Sequence, residues 1–170
     1  DVVAILLPNM IQTAAAYYAA LKLGAIVQMN NPLYTDRELS YQFNDAKAKI
    51  LITLDLLAAR MINLRKETSI ENIIYTSIGD YLPGIKSFLF QLVGKKKGMK
   101  ADVPAADGVC KWLDAVKERR DYKKGDVNFN DVAVYQYTGG TTGQSKGAVL
   151  THRNLSCMVQ MYHAWFMGLE

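Results

Sequence analysis

The chain has 170 residues, half of them hydrophobic and 21% charged, with a formal net charge of +4. This suffices for one domain with a real core and agrees with a globular class, with no need for disorder. Part of the charge is local, in Lys95, Lys96, Lys97 and Lys100, so the broad basic face of a nucleic-acid binder is not expected.

The two cysteines, Cys110 and Cys157, have no CxxC partner, so neither a disulfide framework nor a zinc knuckle is indicated and a reduced, cytoplasmic setting is the default. His152 and His163 are too far apart in sequence for adjacent helical turns, which makes a zinc pair a poor expectation. No apolar run approaches the roughly 18 residues of a membrane span, and no charged-then-apolar leader opens the chain. Residues 1–7 read as a buried strand starting at the first residue, and a helical pattern runs to the last residues. A fragment of a longer protein is expected.

After that strand, Asn9 and Gln12 have capping-box spacing, and Ile11, Ala14, Tyr18 and Leu21 share one helical face up to Gly24. Residues 25–29 read as a second strand, broken by Pro32. Thr35 and Glu38 form another capping box before Leu39 and Phe43 at helical spacing. Residues 49–53 make a third strand, Asp55 caps a helix carrying Leu57, Met61 and Leu64, and residues 73–76 make a fourth strand. Strands alternating with helices over residues 1–78 predict an α/β fold, a parallel sheet with flanking helices.

Residues 79–131 form a looser amphipathic and basic insertion. Ile85, Phe88, Leu89 and Leu92 have helical spacing, the lysine cluster follows, and Asp107 is placed to cap a helix with Trp112, Leu113 and Val116. Residues 132–170 then read as strand, glycine-rich loop, strand and a helix that starts at Thr151 or His152 and carries Leu155, Met158, Tyr162 and Trp165 on one side. Trp112, Tyr162 and Trp165 are expected in a core or interface, and Cys157 as a packed small apolar residue.

The loop is the part that carries chemistry. From Tyr137 to Gly147 it reads YTGGTTGQSKG, four glycines and three threonines in eleven residues, with one lysine. Glycines let backbone N–H groups approach an anion, threonine hydroxyls bond phosphate oxygens or a metal, and Lys146 adds positive charge. The spacing matches neither GxxxxGK[ST] nor GxGxxG, so a plain turn and a phosphate cradle both remain open on glycine content.

The whole string from Tyr137 to Gly147, continued by Ala148-Val149-Leu150-Thr151-His152-Arg153-Asn154-Leu155, closely resembles the AMP-binding signature of adenylate-forming enzymes. Leu7-Pro8-Asn9, Leu21-Lys22-Leu23-Gly24-Ala25 and the run from Asn31 to Leu39 extend the likeness over most of residues 1–78 and 131–156. With glycine at 139, the pattern is most similar to bacterial long-chain fatty acid CoA ligases.

The resemblance implies part of the large N-terminal domain of such an enzyme. ATP and a long-chain fatty acid would give acyl-adenylate and pyrophosphate, and coenzyme A would then displace AMP. It also implies phosphate binding by Thr138, Gly139, Gly140, Thr141, Thr142, Gly143 and Lys146. Thr138 is the implied Mg2+ ligand, and Lys146 the catalytic cation on pyrophosphate. Most members have proline where this chain has Ser145, so a looser loop is expected.

A Tyr-Gly-x-Thr-Glu segment is absent, and Ile78-Gly79-Asp80 lacks the threonine context of the family's ribose-binding aspartate. The segment alone is therefore expected to be inactive. A ligase for medium-chain or aromatic acids is the nearest rival, and a non-catalytic basic module is the alternative of another class. For residues 81–100 a solvated lysine face stands against peripheral contact with an anionic membrane. For His152, a capping or structural role at the helix start stands against a general base.

Overall fold

The computed structural model describes residues 1–118, 121–138 and 144–167. Its strands are β1 Val2–Leu6, β2 Ile26–Met29, β3 Ala48–Leu54, β4 Asn72–Thr76, β5 Val109–Lys111, β6 Val132–Thr138 and β7 Lys146–Thr151. Its α-helices are α1 Ile11–Lys22, α2 Asp36–Ala46, α3 Asp55–Leu64, α4 Gly84–Val93, α5 Trp112–Lys117 and α6 His152–Phe166. The strands form one seven-stranded sheet in the order β5-β4-β3-β1-β2-β6-β7. Every pairing is parallel except β6 with β7, which is an antiparallel hairpin.

The period-two alternation of β1 builds two cores. Val2, Ala4 and Leu6 point to a layer with Leu39 and Phe43 of α2 and Met61 of α3. Val3, Ile5 and Leu7 point to the other, with Ala16 and Ala20 of α1, Trp112 of α5 and Leu155 of α6. The connection leaving β1 thus crosses one face and those leaving β2 and β3 cross the other. The reversal of winding lies between β1 and β3, and open α/β sheets take ligands beyond the carboxyl ends of their strands.

Local signals were kept or overruled by packing. Thr35 accepts from the Glu38 N–H, and its own N–H donates to Glu38 Oε2 at 2.8 Å, completing the expected capping box. The same device opens α6, where Thr151 is the N-cap with Asn154 as reciprocal partner. The Asn9–Gln12 box does not form. Met10 is the N-cap, and Gln12 is buried, donating to Thr76 Oγ1 at 3.1 Å and to the Ser77 carbonyl at 3.2 Å. Helix α1 accordingly turns Gln12, Thr13, Ala16 and Ala20 inward and leaves Ile11 and Tyr18 exposed, because small residues let it lie close to the sheet.

Asp55 is the first residue of α3 and not its cap, with its carboxylate accepting the Leu56 N–H at 2.8 Å. Asp107 does not cap α5, because β5 intervenes and α5 starts from Lys111. Trp112 is buried, whereas Tyr162, Trp165 and Cys157 are exposed among the described residues.

Helix α4 is turned apolar side out. Ile85, Phe88, Leu89 and Leu92 are exposed, while Ser87, Phe90 and Gly94 on the opposite side are partly or fully buried. Phe90 fixes this orientation by lying over Gly79, where an added Cβ would stand 2.2 Å from its ring.

Candidate functional site

Strands β1, β2 and β6 are adjacent and parallel, so the chain leaves β6 toward the glycine-rich segment at the same edge where β1 and β2 end. There the structure forms an open cleft of about 670 Å³ lined by Leu7, Pro8, Asn30, Tyr34, Gln136 and Tyr137, among others. Its size lies in the range of small-molecule sites, roughly 300–1,000 Å³.

Of the sequence-predicted site residues, Thr138 and Lys146 are described, and Gly139, Gly140, Thr141, Thr142 and Gly143 lie outside the described residues. Thr138 and Lys146 face each other as the last pair of the β6–β7 ladder. Both are exposed, and the Thr138 hydroxyl meets the Lys146 carbonyl at 3.5 Å. Among the described residues no group of three His, Cys, Asp or Glu gathers into a metal site. The exposed Thr138 hydroxyl is an oxygen of the kind that can bond phosphate or a metal.

The stems on either side of the loop are tied into the body of the fold. Tyr137 is buried and donates its hydroxyl to Asp45 Oδ2 at 2.5 Å. Burial first, and then this bond to a carboxylate, push the Tyr137 hydroxyl far above its usual value, so it stays a donor. Across the ladder its ring covers Gly147, where a Cβ would stand 3.1 Å from it. On the other stem, Ser145 Oγ accepts from Gln42 Nε2 at 3.0 Å. Gln42 is itself held, with Oε1 accepting from Asn30 Nδ2 at 2.7 Å and its main-chain carbonyl from Gln28 Nε2 at 3.0 Å. Ser145 therefore ties the loop stem to α2.

The motif gives no signal for Gln28, Asn30, Gln42 or Asp45. For Gln42 the available clue was its place beside Leu39, Phe43 and Ala46 on the inward face of α2.

Two other candidates take their places. Asp80 Oδ2 accepts from the Thr76 hydroxyl at 2.8 Å and the Ser77 N–H at 2.9 Å, which closes its own turn. His152 is at the far edge of the sheet, because β7 runs antiparallel to β6 away from the loop. There its N–H donates to the Asp131 carbonyl at 3.0 Å. Thr151 and not His152 caps α6, so His152 is the first residue of the helix, and its place at the opposite end of the ladder does not suit general-base duty at the loop. It lines a second depression, of about 620 Å³, with Tyr18, Lys22, Lys124 and Phe129.

A third, polar pocket of about 210 Å³ lies at the ends of β3 and β4, lined by Asp55, Tyr75, Ser77, Asp80 and Lys111, among others. Asp55 is 3% exposed. Burial raises its carboxyl above the usual carboxylate range against the pull of its hydrogen bonds, and the neighbouring Asp80 charge adds to the rise.

A mostly parallel, doubly wound sheet with helices on both faces defines an α/β protein of the class that takes ligands at the carboxyl ends of its strands. The family model described as AMP-binding enzyme matches residues 1–169, and the chain belongs to that family.

It is 40% identical over 174 aligned positions to a long-chain-fatty-acid–CoA ligase of Bacillus subtilis, covering 100% of this chain and 31% of the relative. A 4-coumarate–CoA ligase-like protein of Arabidopsis thaliana is 33% identical, with 100% of this chain and 27% of the relative covered. The chain thus spans about three tenths of the length of the curated relatives it matches.

Among solved structures, a long-chain-fatty-acid-CoA ligase from Archaeoglobus fulgidus superposes with a TM-score of 0.61 at 26% identity, covering 92% of this chain and 26% of that one. An anthranilate CoA ligase in complex with anthranoyl-AMP superposes with a TM-score of 0.72 at 18% identity, covering 94% and 26%. At that identity the second likeness shows the fold.

Proposed function

We propose that this chain is the phosphate-handling part of an ATP-dependent long-chain fatty acid CoA ligase. The carrying observation is the β6–β7 hairpin, which sets Thr138 opposite Lys146 at the carboxyl edge of the sheet, in a chain 40% identical to a ligase of that name.

In the first step a fatty carboxylate oxygen bonds to the α-phosphorus of ATP. The bond from that phosphorus to the bridging oxygen breaks, and pyrophosphate leaves with the electron pair. In the second step the coenzyme A thiol loses its proton, its sulfur bonds to the acyl carbon, and AMP leaves as the acyl–oxygen bond breaks. Both steps depend on holding the phosphates and balancing charge as it moves to the departing oxygens.

Backbone N–H groups of Gly139, Gly140 and Gly143 and the hydroxyls of Thr141 and Thr142 would bind the β- and γ-phosphates. Lys146 would balance the charge that builds on pyrophosphate. The Thr138 hydroxyl is the group this chain offers to Mg2+, which when bound neutralises triphosphate charge. In the full-length protein Lys146→Ala is expected to slow acid-dependent ATP–pyrophosphate exchange while sparing thioester formation from supplied acyl-adenylate. An unchanged first step would overturn the role of Lys146.

The 170-residue segment by itself is expected to form no acyl-CoA. An aromatic or medium-chain acid is the rival substrate, favoured by the 4-coumarate–CoA ligase-like relative. A panel of acids assayed on the full-length protein decides between them.

The reading includes a cytoplasmic enzyme that touches an anionic membrane through residues 81–100. Among the described residues no helix is long and apolar enough to cross a membrane. Helix α4 instead exposes Ile85, Phe88, Leu89 and Leu92 beside Lys86, Lys95, Lys96 and Lys97. Each lysine near anionic lipid contributes about 1 kcal/mol. Flotation with phosphatidylserine vesicles is expected at low salt and not at high salt, and no flotation at low salt ends this part of the reading.

A further inference from the structure

Helix α2 touches the chain on both sides of the glycine-rich loop. Asp45 takes the hydroxyl of Tyr137, the residue before Thr138, at 2.5 Å. Gln42, one turn earlier on the same helix, gives its Nε2 to Ser145, the residue before Lys146, at 3.0 Å. The contacts join positions 92 and 103 residues apart in sequence, so neither is a by-product of local chain geometry. Between them they bracket the two side chains placed at the mouth of the site, Thr138 and Lys146.

The helix is a firm base for such a bracket. It is closed at its start by the Thr35–Glu38 box and packed against the sheet through Leu39, Phe43 and Ala46. Gln42 is 1% exposed. The Asn30 amide donates to its Oε1 at 2.7 Å, which turns its own NH2 toward Ser145.

We propose that α2 is a two-point clamp on the phosphate loop, with Gln42 and Asp45 as positioning residues that set the spacing of Thr138 and Lys146 through Ser145 and Tyr137. This rests on the adenylation reading above. The clamp gives Ser145 its part: the stem before Lys146 is fixed by a bond to α2.

The experiment uses the full-length protein carrying Gln42→Ala, Ser145→Ala, both together, or Ser145→Thr. The readouts are acid-dependent ATP–pyrophosphate exchange, with KM for ATP and kcat separated, and thioester formation from supplied acyl-adenylate. Each alanine variant is expected to slow exchange about tenfold, since small misplacement of positioned groups is costly. The double variant is expected to be no slower than the worse single, because one bond is lost in all three. Ser145→Thr, which keeps the hydroxyl, should match the parent, and the second half-reaction should stay within about twofold in every variant.

Losses that multiply in the double variant, equal losses in both half-reactions, or an unaffected Ser145→Ala would overturn the clamp. Ser145 is partly exposed, so its variant remains informative if Gln42→Ala fails to fold. Absence of exchange in the parent protein would instead overturn the adenylation reading. Hydrogen exchange of the nucleotide-free protein then decides the clamp: faster exchange confined to residues 138–146 in Ser145→Ala supports it, and unchanged exchange there refutes it.

Discussion

The bond between Tyr137 and Asp45 should be worth different amounts depending on which partner is removed. Tyr137 is 6% exposed, whereas Asp45 is exposed. Tyr137→Phe removes the donor, and the carboxylate regains water. The cost is then the net value of a bond to a charged group, at the low end of about 1.5–3 kcal/mol. Asp45→Ala removes the acceptor and strands a buried hydroxyl, which adds a desolvation penalty of about 1–3 kcal/mol. The expected order is therefore Asp45→Ala costing roughly 3 kcal/mol or more and Tyr137→Phe about 1.5 kcal/mol, with the double variant close to Tyr137→Phe because nothing is left stranded. Urea unfolding of the four proteins, compared at a common slope, measures this. Tyr137→Phe costing as much as Asp45→Ala, or a double variant equal to the sum of the singles, would refute the reasoning.

Phe43 is 1% exposed at the centre of the layer under α2 and α3, so Phe43→Ala should cost about 3–5 kcal/mol in urea unfolding. Burial raises the Asp55 carboxyl, so the folded state holds that proton more tightly than the unfolded state. Its contribution to stability is greatest below the ordinary carboxylate range and declines as pH rises through the raised value. Asp55→Asn should therefore lower the melting temperature at pH 4 relative to that at pH 7, compared with the parent protein, and an unchanged difference between the two pH values would count against the assignment. Gly79→Ala would put a Cβ 2.2 Å from the Phe90 ring, so α4 should lose its seat and trypsin should cut faster at Lys86 and Lys95. An unchanged digestion pattern would argue against that anchor.

The alternation of strand and helix was legible because β1, β2, β3 and β4 are short runs rich in Val, Ile and Leu separated by helix-length segments. The loop was legible because phosphate chemistry asks for particular residue types in a short span. Strand β5 was not, since three residues, Val109, Cys110 and Lys111, carry no usable period and become a strand by pairing with β4. The inward face of α1 was misread because small and polar residues, Gln12, Thr13, Ala16 and Ala20, are buried there while Ile11 and Tyr18 face out. Close helix–sheet approach outweighed side-chain hydrophobicity.

The sequence by itself determined the α/β class, the capping of α2, the start of α6 to within a residue, and the family likeness centred on Thr138 and Lys146. These depend on residues near one another in the chain, whose propensities and spacing act locally. The tertiary structure decided what lies beside the loop. The strand order, the crevice at the ends of β1, β2 and β6, the outward turn of α4, and the bonds from Gln42 to Ser145 and from Asp45 to Tyr137 depend on partners up to 103 residues apart. Such pairings exist after the sheet has assembled, because only then does packing bring a buried amide on α2 within reach of the loop.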